Sequence, residues 1–429
     1  MPTPKTDYYF RRFGFCERQI ETPPQPDLGI IIVIPCFNEP DLICSLESLW
    51  CCDRPECSAE VIVVVNSPAG CPQEIRCQNQ ATLKIATAWM EQHRDPRLAF
   101  HTVHFPELPR KHAGVGLARK IGMDEALRRF DDLGRPEGII AGYDADCRCE
   151  ANYLAAIERH FAQNARSPGC SIYFEHPLSG ALPPPVYEAV AAYELHLRYY
   201  VQALRYAGFP HAHHTIGSCM AARAGAYRQQ GGMNKRKAGE DFYFLHKIIP
   251  LGGFGDLSGT TVHPSPRPSD RVPFGTGKTV RDRLAGQEIK TYPLDAFLDL
   301  RKLFDDLPLI YRRGERSADE NTKRWPESVR SFLNQSSFSE AMKEIRRNTA
   351  SELAFRKRFF HWFDGFRAMK FVHHARDRFY GDGKVEEEPA KLLAKLTPEG
   401  KLDADLSLLG LLRIHRALDR GGSPTTLYH

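Results

Sequence analysis

A short apolar run ends in two aspartates in the stretch Gly138-Ile139-Ile140-Ala141-Gly142-Tyr143-Asp144-Ala145-Asp146. The length of the run and its stop at a turn-forming acid predict a buried strand. Two carboxylates spaced i and i+2 at the carboxyl end of a parallel strand can reach one hard cation. Because ligands of open α/β sheets bind beyond such strand ends, Asp144 and Asp146 are candidate ligands of a metal. An Asp-x-Asp triplet alone is weak evidence, since surface turns are rich in aspartate.

The composition is that of a globular chain with one or two domains. The sequence has 429 residues, of which 42% are hydrophobic and 26% charged, with a net charge of +5. This mild excess of positive charge is compatible with anionic ligands such as nucleotide diphosphates. It lacks the strong basic bias of a dedicated nucleic-acid binder, so no nucleic-acid partner is expected.

Neither a membrane span nor an export signal is predicted. No apolar run approaches the roughly 20 residues that cross a bilayer, and the segment from Met1 to Arg12 is polar. We therefore expect a cytoplasmic protein, with contact at a membrane surface left open. All twelve cysteines lie between Cys16 and Cys219 without a pair of Cys-x-x-Cys units, which disfavours a zinc ribbon. In the cytoplasm these thiols should stay reduced.

Strand and helix patterns alternate along the first part of the chain. Residues 1–28 are Pro-rich and predict an irregular arm. Continuous apolar runs at residues 29–35 and 61–65 predict central parallel strands covered on both faces, and residues 98–103 predict a third strand. With helices between these strands and the one at 138–142, the pattern predicts a doubly wound, mostly parallel sheet with right-handed crossovers.

The second half of the chain divides into a loop and a helical region. Residues 258–278 are rich in Pro and Gly and predict a long ordered loop that closes over the strand ends. From about residue 290 the sequence becomes helical and richly charged. We therefore predict an arm at 1–28, an α/β domain at 29–280 and an α-helical extension at 281–429.

The chain resembles a family 2 glycosyltransferase of the GT-A fold, a Rossmann-like α/β fold. Four stretches in matching order carry the resemblance: Ile34-Pro35-Cys36-Phe37-Asn38-Glu39, Gly114-Val115-Gly116-Leu117-Ala118-Arg119, Asp144-Ala145-Asp146 and Gly239-Glu240-Asp241. The resemblance covers roughly residues 29–280, and the helical third resembles no family that we can name. It implies transfer of a sugar from a UDP- or GDP-sugar to a hydroxyl of an unknown acceptor, with Mn²⁺ or Mg²⁺ as cofactor.

The resemblance also implies roles for the acidic residues. Asp144 and Asp146 would hold the cation that stabilises the leaving diphosphate, with Ala145 between them contacting the nucleotide sugar. Asp241 would be the general base that deprotonates the acceptor, and Glu240 would contact the acceptor or orient the loop. In the alternative interpretation both acids cap the following helix, where the helix dipole favours anions.

The ends of the first two strands are implied to bind the nucleotide. Pro35, Phe37, Asn38 and Glu39 follow the first strand, although Glu39 could be an ordinary acid at a helix start. Asn66 stands where similar enzymes have an Asp that contacts the base. An amide side chain adds hydrogen-bond donors and lacks the negative charge of an Asp, so the identity of the nucleotide's base stays open.

Basic residues and one histidine complete the candidate site. Lys111 and Arg119 flank a Gly-x-Gly segment and could meet the nucleotide or its phosphates, or the segment could serve helix–loop packing. His263 lies where similar enzymes sometimes place a third metal ligand, but it could also be a bystander.

Three cations follow in the predicted loop. Arg267, Arg271 and Lys278 could hold the diphosphate once it leaves, or could be merely solvated.

Three functions remain open from the sequence. One base and no evident enzymatic nucleophile predict a transfer with inversion. A nucleotidyltransferase of similar fold is disfavoured, because that class usually has a Gly-rich, basic loop after the first strand. A non-catalytic nucleotide-sugar-binding or scaffold protein is disfavoured by the intact acids Asp144, Asp146 and Asp241. The basic aromatic stretch at residues 355–362 could touch anionic lipid, although an aromatic core face with a solvated basic face is favoured.

Overall fold

The fold is described from a computed structural model of the chain. The described residues are 4–271, 275–313, 324–397 and 406–422. The chain forms two compact units, the first comprising Met1–Val190 with Thr215–Ala285 and the second Ala191–His214 with Gly286–His429. The domain boundaries predicted at residues 28 and 280 stay predictions.

The first unit is built around one eight-stranded sheet. Its strands are β1 (Leu28–Cys36), β2 (Ser58–Pro68), β3 (Leu98–Leu108), β4 (Ile139–Gly142), β5 (Arg148–Cys149), β6 (Gly169–Phe174), β7 (Met220–Arg223) and β8 (Gly255–His263). Their order across the sheet is β3-β2-β1-β4-β7-β6-β8-β5. The pairs β1–β2, β2–β3, β1–β4 and β6–β8 are parallel, whereas β7 is antiparallel to both its neighbours and β5 to β8. The predicted doubly wound, mostly parallel α/β sheet is therefore confirmed.

Helices cover this sheet. The helices of the first unit are α1 (Pro4–Phe13), α2 (Leu42–Trp50), α3 (Gln73–Gln92), α4 (Val115–Asp132), α5 (Tyr153–Gln163), α7 (Ala224–Gln229), α8 (Glu240–Ile248) and α9 (Thr276–Leu284), with a 3₁₀ turn at Ile249–Leu251. Helix α6 (Pro184–Tyr206) begins in the first unit and ends in the second. The β-branched runs at 30–34 and 61–65 are fully buried. Since successive side chains of a strand point to opposite faces, complete burial means that both faces are covered.

Two sequence-based expectations about elements were wrong. The arm before β1 is not irregular throughout, because α1 forms and its Tyr9 hydroxyl donates to Asp124 Oδ1 of α4 at 2.7 Å. The predicted loop at 258–278 is shorter, because β8 runs to His263 and α9 begins at Thr276. The β8 sequence has glycines at 255 and 259, which break the apolar pattern that marks a strand.

The second unit is helical in its C-terminal part, as the sequence predicted. Its elements are α10 (Leu294–Asp305), α11 (Leu307–Arg313), α12 (Glu327–Asn334), α13 (Phe338–Arg347), α14 (Glu352–Trp362), α15 (Gly365–Ala375), a π-helical turn (Arg376–Tyr380), α16 (Glu387–Leu396) and α17 (Leu408–Asp419), with a small hairpin of β9 (Lys290–Thr291) and β10 (Gly383–Lys384). In α14, Phe355, Phe359 and Phe360 are buried in an aromatic core, while residues 356–358 are exposed. No helix in the described part of the chain is long and apolar enough to cross a membrane.

Helix α3 fixes the turn at the ends of β1 and β2. Asn79 accepts a hydrogen bond from Asn38 N at 2.9 Å and donates one to the Asn66 carbonyl at 2.9 Å. One turn further along α3, Thr82 donates to the Glu39 carbonyl at 2.8 Å. Asn38 adopts a left-handed conformation with φ 49°, which asparagine tolerates better than most residues. The turn that carries Asn38 and Glu39 is therefore held by side chains of a neighbouring helix.

Asn79→Ala should destabilise the protein. The substitution leaves the Asn38 amide and the Asn66 carbonyl without their partner, which costs about 1–3 kcal/mol per buried group. We expect a lower free energy of unfolding in urea titrations. Gln80→Ala, at the adjacent exposed position of α3, is the matched control and should change stability by less than about 0.5 kcal/mol. Equal effects of the two variants would contradict the bridging role of Asn79.

Candidate active site

The Asp-x-Asp turn follows β4 and is hydrogen-bonded to α2. The Ser45 hydroxyl lies 2.8 Å from the carbonyl of Ala145 and 2.7 Å from that of Cys147. Ala145 is buried, whereas the side chains of Asp144 and Asp146 keep 39% and 25% of their surface exposed. The two carboxylates are therefore held in place by the turn and are accessible to a ligand.

A buried arginine joins this turn to the Glu-Asp pair. Arg119 in α4 donates to Asp144 Oδ1 at 2.6 Å through Nη2, and its Nη1 forms an ion pair with Glu240. The Arg119 side chain is only 2% exposed. A charge buried to this degree is tolerated only when it is paired, and here it has two carboxylate partners. Arg119 thus brings together two segments, Asp144 and Glu240, that are distant in sequence.

Two glycines allow this arrangement by leaving space. A Cβ atom at Gly217 would lie 2.3 Å from Arg119 Nη1, so a side chain there would displace the guanidinium group from its two partners. A Cβ atom at Gly116, the second glycine of the Gly-x-Gly segment, would lie 2.2 Å from the Arg236 carbonyl. Gly116 therefore serves close packing of α4 against the segment before α8. This is the packing alternative that the sequence left open.

Asp241 occupies the first turn of α8, next to Glu240. Its Oδ2 accepts a hydrogen bond from Gly217 N at 2.8 Å, and its Oδ1 accepts one from Phe242 N at 2.7 Å. Burial raises the pKa of Asp241, the positive charge of Arg119 opposes that shift, and Asp144 adds to it. The side chain is half-buried. Asp241 is thus a fixed carboxylate whose environment makes it a stronger base than a solvated aspartate.

Glu240 is the buried member of the pair. Burial raises its pKa to about 7, with Arg119 opposing the shift and the neighbouring Asp241 adding to it. Its backbone carbonyl accepts a hydrogen bond from Asn234 Nδ2 at 2.9 Å. The side chain is directed at Arg119 and is 2% exposed, which suits a role in positioning the loop better than contact with an acceptor.

Glu39 is a second buried carboxylate at this edge of the sheet. Its Oε1 accepts a hydrogen bond from Asp41 N at 2.9 Å, just before α2 begins. Its Oε2 pairs with Arg267 Nη2 at 2.7 Å and with Arg271. The hydrogen bond from Asp41 N agrees with the alternative interpretation, in which Glu39 is an ordinary acid at a helix start. The ion pairs with Arg267 and Arg271 join Glu39 to the basic segment that follows β8.

Arg267 and Arg271 also reach the Asp-x-Asp turn. Arg271 Nη2 lies 2.9 Å from Asp146 Oδ2, and Arg267 Nη2 lies 3.7 Å from the same oxygen. Burial raises the pKa of Asp146, and Arg271 opposes that shift. The structure thus brings Asp146 and Glu39 together through two arginines that sequence reasoning assigned to the same site.

Other predicted residues lie at or near the strand ends. Pro35 and Phe37 are half-buried, and Pro35 pairs with Val64 in the parallel ladder. Asn66 is buried within β2 rather than at its end, because β2 continues to Pro68. Their contact with a nucleotide stays a prediction.

Lys111 and Lys278 are not part of the ion pairs that Arg119, Arg267 and Arg271 form at the strand ends. Lys111 is exposed in the turn before α4. Lys278 forms an ion pair with Asp282 of its own helix. Their phosphate-binding roles stay predictions.

The predicted third metal ligand makes a different contact. His263 Nδ1 lies 3.1 Å from the Glu175 carbonyl, at the end of β8. Among the described residues, no group of three or more His, Cys, Asp and Glu side chains is placed to hold a metal ion. Ligation by His263 is thus not seen in the geometry and stays a prediction.

The charges at the strand ends fit a cation. The carboxylates of the two ion-pair groups are Glu39, Asp41, Asp144, Asp146, Glu240 and Asp241, and the guanidinium groups are Arg119, Arg267 and Arg271. Carboxylates outnumber guanidinium groups, even with Glu240 protonated. Asp144 and Asp146 offer the hard oxygen donors that Mg²⁺ and Mn²⁺ prefer.

Sequence reasoning missed Ser45, Asn79 and Thr82, which hold the two turns of the site. Small polar residues within helical patterns carry no signal of a distant partner. Only the burial of such residues, once coordinates place them, indicates that they have one.

Comparisons with known proteins give similarity at the level of solved structures only. No protein-family model and no curated protein match the chain. A crystal structure of S. aureus TarS 1–349 is similar at 13% identity with a TM-score of 0.39, covering 78% of this chain and 91% of that chain. Its complex with UDP-GlcNAc is similar at 14% identity with a TM-score of 0.38, covering 93% of this chain and 90% of that chain. Its complex with UDP is similar at 12% identity with a TM-score of 0.40, covering 78% of this chain and 91% of that chain.

The raised pKa of Glu240 should make stability depend on pH. The folded protein binds this proton more tightly than the unfolded chain, where the ordinary value is 4.5. Between pH 4.5 and about 7, Glu240 therefore lowers the free energy of unfolding as pH rises, by at most about 1.4 kcal/mol per pH unit. Glu240→Gln removes this contribution. In urea titrations across that window, we expect the wild type to lose stability relative to the variant, and a constant difference would contradict the raised pKa.

Proposed function

We propose that the protein is a glycosyltransferase of the GT-A type, similar to family 2, that moves a sugar from a nucleotide-diphosphate sugar to an acceptor hydroxyl. The observation that carries the proposal is the position of Arg119 between Asp144 and Glu240. It places the Asp-x-Asp turn beside the Glu-Asp pair at the carboxyl end of β4. A transfer of this kind needs both a site for the leaving diphosphate and a base for the acceptor, and these two segments would supply them.

Asp241 is the general base of this proposal. A base must be positioned to take the acceptor proton as the new bond forms. The Gly217 amide holds one carboxylate oxygen of Asp241, and burial raises its pKa towards the operating pH. The ion pair between Glu240 and Arg119 would hold the start of α8 next to the Asp-x-Asp turn.

Asp144 and Asp146 would hold a divalent cation, Mn²⁺ or Mg²⁺. When bound, such a cation neutralises the charge that develops on the leaving diphosphate. Arg267 and Arg271 carry partly exposed positive charge at the same edge, with side chains that are 27% and 21% exposed. They would exchange the carboxylates of Glu39 and Asp146 for the diphosphate of a bound donor.

The nucleotide would lie over the ends of β1 and β2. Pro35, Phe37 and Asn38 would form one wall of this site, and Asn66, whose carbonyl is bonded to the same Asn79 side chain as Asn38 N, would lie beside them. Asp241 alone acts on the acceptor and no second carboxylate is proposed as a nucleophile. Direct displacement with inversion of the anomeric centre is therefore the proposed course.

The reaction class can be decided with nucleotide sugars alone. The full chain is incubated with UDP- and GDP-sugars and Mn²⁺, and slow donor hydrolysis is followed. Release of free sugar and nucleoside diphosphate, without sugar 1-phosphate, supports the transferase. Release of sugar 1-phosphate, with nucleoside monophosphate in water or nucleoside triphosphate when pyrophosphate is added, supports a nucleotidyltransferase instead. No turnover of any donor supports a non-catalytic binding protein.

Asp241→Asn should abolish most of the transfer activity. Loss of the base lowers kcat by about 100- to 10,000-fold, the usual contribution of general base catalysis, while donor affinity stays close to that of the wild type. Transfer is followed by NMR of the first-formed product, which also reports inversion at the anomeric carbon. Asp305→Asn, at an exposed position of α10, is the control and should keep wild-type activity. Full activity of Asp241→Asn would overturn the assignment.

Asp146→Asn should uncouple metal and nucleotide binding. Ligands that bind the folded state raise its stability by RT ln(1 + [L]/Kd), about 2.7 kcal/mol at 100 times Kd. We expect Mn²⁺ and UDP together to raise Tm of the wild type more than either alone. The variant should lose this joint effect while Asp305→Asn retains it. A joint effect of equal size in Asp146→Asn would exclude Asp146 as a metal ligand.

A further inference from the structure

Two thiols are in contact behind the Asp-x-Asp turn. Cys52 lies in the turn after α2, Cys149 lies in β5, and their Sγ atoms are 3.6 Å apart. Both are free thiols, with Cys52 buried and Cys149 half-buried. No sequence pattern pairs them, since 97 positions separate them along the chain. The proposed transfer reaction uses neither.

The backbone on either side of the thiols is already docked. Asp53 N donates to the Ala151 carbonyl at 2.7 Å, and Cys149 N donates to Ser48 Oγ at 2.8 Å. A disulfide bond is about 2.05 Å long, so the sulfurs would need to approach by only about 1.5 Å. Side-chain rotation and small shifts in a turn and a two-residue strand can supply that movement.

The two thiols differ in reactivity. Hydrogen bonding from Cys52, followed by that from Ser48, lowers the pKa of Cys149 against the effect of burial. The same contact and burial raise the pKa of Cys52. Cys149 is also the less buried of the two thiols, so a small disulfide would reach Cys149 first and Cys52 would resolve the product.

We propose that Cys52 and Cys149 form a redox modification site, a reversible disulfide made by exchange with a low-molecular-weight disulfide such as oxidised glutathione. The Cys149 thiolate attacks one sulfur of the small disulfide, forms a mixed disulfide and releases one thiolate. Cys52 then loses its proton to solvent and attacks Cys149 Sγ, releasing the second small thiolate. Two protein thiols are oxidised, and one small disulfide is reduced to two thiols.

This bond would tie together elements around the Asp-x-Asp turn. Helix α2, which ends two residues before Cys52, already holds the turn through Ser45. Cys149 pairs with Val262 of β8 in the sheet. The bond would also close a long loop of the unfolded chain, and disulfides that close long loops stabilise the folded state. The oxidised form should therefore have a higher Tm than the reduced form.

The test measures oxidation of the full chain in buffers with increasing ratios of oxidised to reduced glutathione. Samples are quenched in acid, remaining thiols are alkylated, and intact mass and non-reducing peptide maps are recorded. We expect a Cys52–Cys149 cross-linked peptide that appears as the ratio rises and disappears on reduction with dithiothreitol, together with a rise in Tm. No such peptide in the most oxidising buffer would overturn the proposal.

Single substitutions separate the two roles. Cys149→Ser should lose both the cross-link and the rise in Tm. Cys52→Ser should retain glutathione on Cys149, because the resolving thiol is gone. Cys51→Ser removes the exposed neighbouring thiol and is the matched control, which should form the cross-link as the wild type does. A cross-link through Cys51, or glutathione absent from Cys149 in Cys52→Ser, would contradict the assigned roles. None of these readouts depends on glycosyl transfer.

Discussion

The site depends on one buried charge, the guanidinium group of Arg119. Removing it from water is costly, and the cost is offset only while Asp144 and Glu240 both remain in contact with it. Helix α4, the Asp-x-Asp turn and the start of α8 are therefore energetically coupled, because displacement of any one breaks an ion pair of the buried guanidinium group. Gly217 follows from the same constraint, since the guanidinium lies where its side chain would be.

A second ion-pair group at the same edge has a different character. Arg267 and Arg271 pair with Glu39 and Asp146, but their side chains are partly exposed. Partly solvated pairs are weaker and can exchange partners at lower cost than buried ones. Arg119 is thus suited to hold the site together, whereas Arg267 and Arg271 are suited to meet a charged ligand. Carboxylates outnumber guanidinium groups among these ion-paired side chains, which is the charge balance that the proposed cation would need.

Much of the fold could be predicted from local patterns. The apolar runs of β1, β2 and β4 have the continuous character of parallel strands buried on both faces, and their order predicted the sheet. The two wrong expectations, at the arm before β1 and at residues 258–278, concern segments whose apolar pattern is weak or whose contacts lie far away in the sequence. Glycines interrupt β8, and α1 is held by contacts with residues far along the chain, among them the hydrogen bond from Tyr9 to Asp124 and the burial of Tyr9 in a hydrophobic cluster. Local sequence contains neither signal.

The sequence by itself determined which residue types stand at the strand ends: the acids at 144 and 146, the pair at 240 and 241, and the basic residues at 267 and 271. Strand periodicity and turn chemistry are local properties, so they can be read from neighbours in the chain. Only the tertiary structure decided which of these groups meet. It paired Arg119 with two acids, used Gly116 for packing, and placed Cys52 against Cys149. Such contacts depend on how the helices pack on the sheet, because burial and pairing of charges are set by residues far apart in sequence.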